Sequence, residues 1–383
     1  MKCITESNIT NKKVLLRCDL NVTIENGLII DETKIKESTE TIKYLLNNNC
    51  SVIILSHLGK IKTEEDKKNN SLKIVEKPLE KYLNKKILFS KTTRSAELTN
   101  LCENLKPQEI VLIENTRFED FPNKLETNCD EALSKYWGSL ADVFVNDAFG
   151  TTHRKHASNY GVTKYLDSYY GLLIKKEITG LQTVINPDKP FTVIMGGAKV
   201  KDKIQMIKAL LTKCNYLIVG GGIANTFLKA TGNNVGISLY DKEYVEELLS
   251  IYKENKSKII LPKKVRVLNN NNIYTKEINE IDANDNILDI LLDNNYTSII
   301  EKSNTVFLNG TLGYYEKSEF AEGTKELLEK LANIKGKVII GGGDALASVN
   351  KLGNKNDYYF ISTGGGATLE YIKTGKLLAL ESE

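Results

Sequence analysis

Short apolar runs recur along the chain, each closed by glycine or polar residues and followed by a stretch with helical spacing. The first half holds Val14-Leu15-Leu16, Ser51 to Leu55, Ile110 to Ile113 and Asp142 to Val145. The second holds Phe191 to Met195, Tyr216 to Val219, Lys258 to Leu261, Thr305 to Leu308, Lys337 to Ile340 and Tyr358 to Ile361. Helical patterns stand between them at Thr39 to Leu46, Asp202 to Leu211, Glu243 to Tyr252 and Thr324 to Leu331. Strands that are apolar at every position, alternating with helices, predict parallel sheets covered on both faces. Their presence on both sides of residues 160–190 predicts two α/β domains in series. The stretch from Tyr169 to Ile185 reads as a connecting helix stopped at Asn186-Pro187. The charge-rich Lys60 to Leu72 and the Asn- and Asp-crowded Leu268 to Asn295 read as solvated loops or edge insertions without a functional role.

Length supports the two-domain reading, since 383 residues exceed the roughly 250–300 at which one core stops growing. The net charge of +3 is too balanced for nucleic acid binding by bulk electrostatics, so a bound anion must be met by a local cluster of cations. No apolar run approaches the roughly 18 residues of a membrane span, and Met1 to Glu6 lacks the apolar core of a signal peptide. The six cysteines show no CxxC and no metal-ligand spacing, which predicts reduced thiols and a cytoplasmic protein. Only five of the 52 cations are Arg (17, 94, 117, 154 and 266). An arginine therefore marks a place where a planar two-pronged donor is wanted.

In open parallel sheets, ligands bind beyond the carboxyl ends of the strands. The two halves differ there. In the first half the strand ends read Arg17-Cys18-Asp19-Leu20-Asn21, Ser56-His57-Leu58-Gly59-Lys60, Glu114-Asn115-Thr116-Arg117-Phe118 and Asn146 to Arg154. Three of the five Arg and all three His (57, 153, 156) lie at or just beyond these positions, either as structural caps or as a pocket for a small polyanion. The second half offers glycine turns at Gly196-Gly197, Gly220 to Gly222, Gly341 to Gly343 and Gly364 to Gly366, with Lys199, Lys203 and Asp344 alongside. Such turns expose backbone N–H groups to phosphate, and four of them point to a nucleoside triphosphate with Mg²⁺. Neither G-x-x-x-x-G-K-[ST] nor G-x-G-x-x-G occurs: Asn225 and Leu346 stand where the latter needs glycine. A P-loop protein is excluded and a dinucleotide oxidoreductase disfavoured.

In their order, these motifs resemble phosphoglycerate kinase along essentially the whole chain. The matching stretches are those just quoted, together with Gly196 to Lys203, Gly220 to Phe227, Asn309 to Glu316 and Ser362 to Ala367. The resemblance implies two Rossmann-like domains, each a parallel sheet with helices on both faces, joined by a helix and hinge. It places the phosphoglycerate domain at 1–168 with 370–383 packing back on it, the connecting helix at 169–186 and the nucleotide domain at 187–369. It implies phosphoryl transfer between 1,3-bisphosphoglycerate and ADP, giving 3-phosphoglycerate and ATP, by a monomer whose domains close, with no nucleic acid or membrane partner. Asp19, Leu20, Asn21, Lys34, His57, Leu58, Gly59, Lys60, Arg117 and Arg154 would hold the phosphoglycerate. Gly197, Lys199, Lys203, Gly221, Asn309, Gly310, Glu316, Gly342, Gly343, Asp344 and Ala345 would hold the nucleotide, with Glu316 on the ribose and Asp344 on Mg²⁺. Lys34, Lys199 and the backbone at Gly342 and Gly365 would serve the transfer itself.

Four positions depart from the family pattern. Lys34 replaces a catalytic Arg, Lys60 an Arg, Thr311 a Pro, and Ala345 a Thr or Ser. They leave open a slow or non-catalytic relative that binds nucleotide or a partner. The chemistry itself needs no base, because the carboxylate that accepts the phosphoryl group is already ionised at pH 7. No Ser–His–Asp or Cys–His arrangement stands at a recognisable spacing.

Overall fold

The computed structural model describes residues 1–381. The chain divides into two compact units, one from Met1 to Ile178 completed by the chain from Lys376 onward, the other Thr179–Gly375. The division falls inside the helix Leu172–Ile185.

The first unit is built on seven parallel strands in the order Lys2–Cys3, Asp167–Tyr170, Val143–Asn146, Lys13–Arg17, Ser51–Leu55, Ile110–Ile113 and Leu88–Ser90. Successive residues of a strand face opposite sides, and both sides here are apolar. Val14, Leu16, Val52 and Ile54 pack with Ile42 and Leu45 of the helix Thr33–Asn47. Leu15, Ile53 and Val111 pack on the other face with Leu98, Leu133 and Trp137. The chain reverses its direction of travel across the sheet at Lys13–Arg17, whose neighbours are Ser51–Leu55 and the much later Val143–Asn146. That is the switch point where a crevice opens at the strand ends.

The second unit repeats the plan with six parallel strands, Ile259–Ile260, Tyr216–Val219, Phe191–Met195, Thr305–Asn309, Lys337–Gly341 and Phe360–Ile361. Its switch point lies between Phe191–Met195 and Thr305–Asn309, so Gly196 and Gly310 leave the sheet side by side.

Three segments differ from the sequence reading. Tyr169 and Tyr170 belong to a strand, and the helix starts only at Leu172, because Gly171 lets the chain turn hard against Asp147. A Cβ at position 171 would lie 2.3 Å from Asp147 Oδ1. The charged Lys60 to Leu72 contains the helix Glu64–Asn69, started by a capping box between Thr63 and Asp66. Leu268 to Asn295 is no loop. It supplies most of an antiparallel sheet of Asn272–Glu277, Lys264–Asn269 and Asn286–Ile290. Its tight hairpin turns at Asn270 and Asn271, both at positive φ (48° and 64°), a conformation asparagine tolerates.

Candidate active site

In the first unit the strand ends hold one another. Arg17, the last residue of its strand, is 1% exposed. Its guanidinium donates to Ser158 Oγ (2.9 Å), to the Cys18 carbonyl and to His57 Nδ1 (3.0 Å). Arginine has no acceptor, so Nδ1 must accept and the proton of a neutral His57 sits on Nε2. Burial, then the charges of Arg17, Arg117 and Lys34, push His57 well below its ordinary pKa, which keeps the ring neutral. Behind Arg17, Ser158 donates to the fully buried Glu126. His156, 3.9 Å from Glu126, is pushed down to about 3 by burial first and then by Arg17 and Arg117. Arg17 and His156 are thus internal supports, while His57 keeps Nε2–H as a donor for a ligand.

Around this centre the predicted residues interlock. Asp19 accepts from Lys34 Nζ at 3.0 Å and from the Asn21 amide at 3.2 Å. Asn21 Oδ1 accepts from the Gly59 amide (2.8 Å), and the Leu20 amide donates to Ser56 Oγ (2.9 Å). Asn115 fixes Leu58 through both its amide groups and accepts from the Arg117 amide. The Arg117 guanidinium stands 3.7 Å from Asp120, and its Nε is buried without a partner among the described residues. Arg154 is more open, donates to His153 Nε2 at 3.2 Å, and has its pKa lowered by burial and then by Arg117. Crowded cations that outnumber the carboxylates beside them, Asp19 and Asp120, and keep donors unspent are an anion site. Lys60 stays apart, exposed and without a partner among the described residues. The supposedly inert segment before Leu72 does take part: Asn115 donates to the Asn70 carbonyl, and Glu114 accepts from Ser71 and Leu72.

In the second unit the glycine turns converge. Gly197, Gly221, Gly310 and Gly342 all have positive φ. A Cβ at Gly310 would meet the Gly196 carbonyl at 2.3 Å and Lys203 Nζ at 2.7 Å, so only glycine fits. Lys203 Nζ donates to the carbonyls of Gly196 (2.5 Å) and Asn309 (3.3 Å), pinning the two central strand ends together. Asn309 reaches across to the Gly341 carbonyl (2.8 Å). The helices Gly221–Ala230, Gly343–Leu352 and Gly366–Thr374 all begin at these turns with no side-chain cap. In the first, the Gly221 and Ile223 amides go to the carbonyls of Leu312 and Gly197, so the turn at Gly343 and Asp344 is the better source of first-turn N–H groups for an anion.

Beside the turns lies a pocket of ≈ 390 Å³, within the ordinary range for small-molecule sites. Gly197, Ala198, Gly221, Gly222, Glu316 and Asp344 line it together with Leu239, Asn225 and Ile287 to Ile290. The last four come from the segment read as an inert insertion, where the apolar run from Ile287 to Leu292, broken only by Asp289, was the missed signal. In the same wall, burial pushes the Asp289 carboxyl up to about 7 although it accepts from the Gly323 amide. Thr311 donates to the Gly313 carbonyl (3.1 Å), a bond that stiffens the turn in place of a proline ring. The Ala345 methyl is fully buried. Lys199 is exposed and has no hydrogen-bond or ion-pair partner among the described residues.

Lys203 titrates unusually. Burial lowers it from 10.5 to about 8, with Asp344 and Asp202 opposing. The folded chain holds fewer protons than the unfolded one between those values, so the cost of burying this ammonium fades as pH rises through the window. The resemblance that puts Lys203 on nucleotide phosphates then implies, because an anion needs the ammonium form, that ADP affinity falls as pH goes from 7 to 9. The fall should vanish in Lys203→Arg, as titration calorimetry across that range would read; a flat wild-type profile would refute it.

The comparisons with known proteins agree with one another. A family model described as phosphoglycerate kinase matches residues 4–376. A phosphoglycerate kinase of Macrococcus caseolyticus is 42% identical, covering 100% of this chain and 98% of the relative. One of Fusobacterium nucleatum is 43% identical, covering 98% and 97%. The solved structure of phosphoglycerate kinase from Coxiella burnetii superposes with a TM-score of 0.87 at 34% identity, covering 99% of this chain and 97% of that one. That from Pyrococcus horikoshii gives 0.83 at 28% identity.

Proposed function

The chain belongs to the phosphoglycerate kinase family, and from that premise we propose which of its residues perform the family's reaction. The activity is a reversible phosphoryl transfer between 1,3-bisphosphoglycerate and ADP. Towards the acyl phosphate, a carboxylate oxygen of 3-phosphoglycerate forms a bond to the terminal phosphorus of ATP while the bond to the ADP oxygen breaks. No proton moves, so catalysis reduces to positioning and charge cancellation.

The observation that carries the residue assignment is the sorting of chemistry between two sets of strand ends. Clustered cations with unspent donors fill one set, and glycine turns beside a pocket fill the other. In this reading His57, Arg117 and Arg154 bind the phosphoglycerate, aided by Asp19, Leu20, Asn21, Leu58, Gly59 and Lys60. The turns at Gly197, Gly221, Gly310, Gly342 and Gly343 cradle the nucleotide phosphates with Lys203 beneath them, and Glu316 faces the ribose. Lys199 and the backbone at Gly365 attend the phosphoryl group, and Lys34 takes the place of the family's arginine.

No group of three or more His, Cys, Asp or Glu among the described residues is placed to cage a metal. That suits Mg²⁺, which is commonly held by one or two carboxylates and the substrate's phosphates. Asp344, exposed in the first turn of its helix, fits that role, and Asp202 lies close enough for its charge to reach Lys203. Bound there, Mg²⁺ would neutralise phosphate charge. No helix among the described residues is long and apolar enough to cross a membrane; a cytoplasmic monomer is part of the same proposal.

Calorimetry with each substrate separately tests the sorting. Arg154→Ala, at an exposed position, should weaken 3-phosphoglycerate about 10- to 100-fold, the worth of a charged hydrogen bond, and leave ADP unchanged. Equal losses for both ligands, or none, would sink the assignment.

A further inference from the structure

Two buried polar side chains that no step above uses grip the start of the helix Leu172–Ile185. The Leu172 amide donates to Thr41 Oγ1 at 2.9 Å, and the amides of Leu173 and Ile174 donate to Asp147 Oδ1 at 2.9 and 3.2 Å. Thr41 is 0% and Asp147 1% exposed. Burial pushes the Asp147 carboxyl up to about 7, against the pull of Thr41 and of the same amides. Gly171 allows the approach, since any Cβ there would strike Asp147.

Both partners also belong to the substrate side of the first unit. Asp147 directly follows the strand Val143–Asn146, its amide donates to the Arg17 carbonyl (2.8 Å), and Asp19 lies two residues beyond Arg17 on the neighbouring strand. Thr41 lies on the helix Thr33–Asn47, whose first turn carries Lys34. Lys34, Ser38 and Thr41 follow the i, i+4, i+7 spacing of one helix face. Ser38 is buried and bonds back to the Lys34 carbonyl. This one face is therefore held twice, by Asp19 at Lys34 and by the Leu172 amide at Thr41, about 10 Å apart at 1.5 Å per residue.

We propose that Thr41 and Asp147 are positioning residues that set where the Lys34 helix lies relative to the start of the helix Leu172–Ile185, along which the chain passes into the second unit. The inference rests on the assignment of Lys34 to phosphoryl transfer. A displacement of about 1 Å at a reacting group costs up to about 10²-fold in rate, so a clamp of this kind acts on kcat more than on binding. Nothing in it touches substrate.

The test compares Thr41→Val, Thr41→Ser and Asp147→Ala with wild type and Lys34→Ala, well below the melting temperature. Thr39→Val is the control for loss of a buried hydroxyl, because Thr39 bonds only to the Lys36 carbonyl of its own helix. Thr41→Val and Asp147→Ala should lower kcat about tenfold with the 3-phosphoglycerate KM little changed, Thr41→Ser should restore it, and amide exchange at Leu172 to Ile174 should quicken. Should Thr41→Val not fold, Thr41→Ala removes the same hydroxyl. If Lys34→Ala lowers kcat while the Thr41 and Asp147 variants do not, or if Thr39→Val does the same damage, the clamp is overturned. If Lys34→Ala is as fast as wild type, the role of Lys34 falls and the clamp with it.

Discussion

Lys199→Ala should lower kcat by about 10²–10³-fold, the usual consequence of removing one donor aimed at developing charge, while ADP and 3-phosphoglycerate bind within a few-fold of wild type. Two lysines of one turn differ in what holds them. Lys203 has its ammonium committed to the carbonyls of Gly196 and Asn309. Removing it would loosen the strand ends and the phosphate cradle together. Lys199, four residues earlier, is exposed and has no partner among the described residues. A long side chain that nothing holds in the resting protein contributes little to the ground state. Its charge is free to follow a phosphoryl group, which is where differential stabilisation arises. Coupled steady-state assays with separate binding measurements decide it. A loss confined to KM would make Lys199 a binding residue, and full activity would remove it from the mechanism.

The sequence displayed the part of this site that lies on parallel strands, because such strands announce themselves by unbroken apolar runs and leave their ligands' partners in the next few residues. His57, Arg117 and Arg154 were visible in that way, as were the glycine turns. Invisible was the division of labour among like residues. Arg17 is buried against His57, and His156 backs onto Glu126, yet both sit in motifs no different from those of the groups proposed to face the ligand. For Arg17 that choice depends on Ser158, 141 residues away, and on Glu126 behind it. Leu268 to Asn295 failed for another reason. Its asparagines signal turns as well as solvation, and the positive φ of Asn270 and Asn271 turns a polar run into a hairpin. One strand of the resulting sheet then carries Ile287 to Ile290 into the pocket wall. The clamp at Thr41 and Asp147 left no trace either, since a threonine inside a helix and an aspartate after a strand are common.

Lys34 is the departure with most at stake. Lys34→Ala should lower kcat about 10²-fold, and Lys34→Arg should equal or exceed the wild type. In the structure the Lys34 ammonium stands 3.0 Å from Asp19 Oδ2 and remains about one-third exposed (34%). One of its three N–H groups is spent there, and two are left. A guanidinium in the same place could keep Asp19 on one prong and hold the other in a fixed plane for an anion, whereas an ammonium offers its remaining charge without direction. Asp19 is only 12% exposed, so Lys34→Ala leaves a carboxylate without its cation and should melt lower, while Lys34→Arg should melt close to wild type; rates are therefore compared well below both melting temperatures. Wild-type turnover far below that of Lys34→Arg would mark the lysine as the limiting donor of this chain. Equal rates would show that positive charge at this point, rather than the fork of an arginine, is what the transfer requires. A Lys34→Ala enzyme as fast as wild type would mean that Asp19 holds the lysine for structure alone.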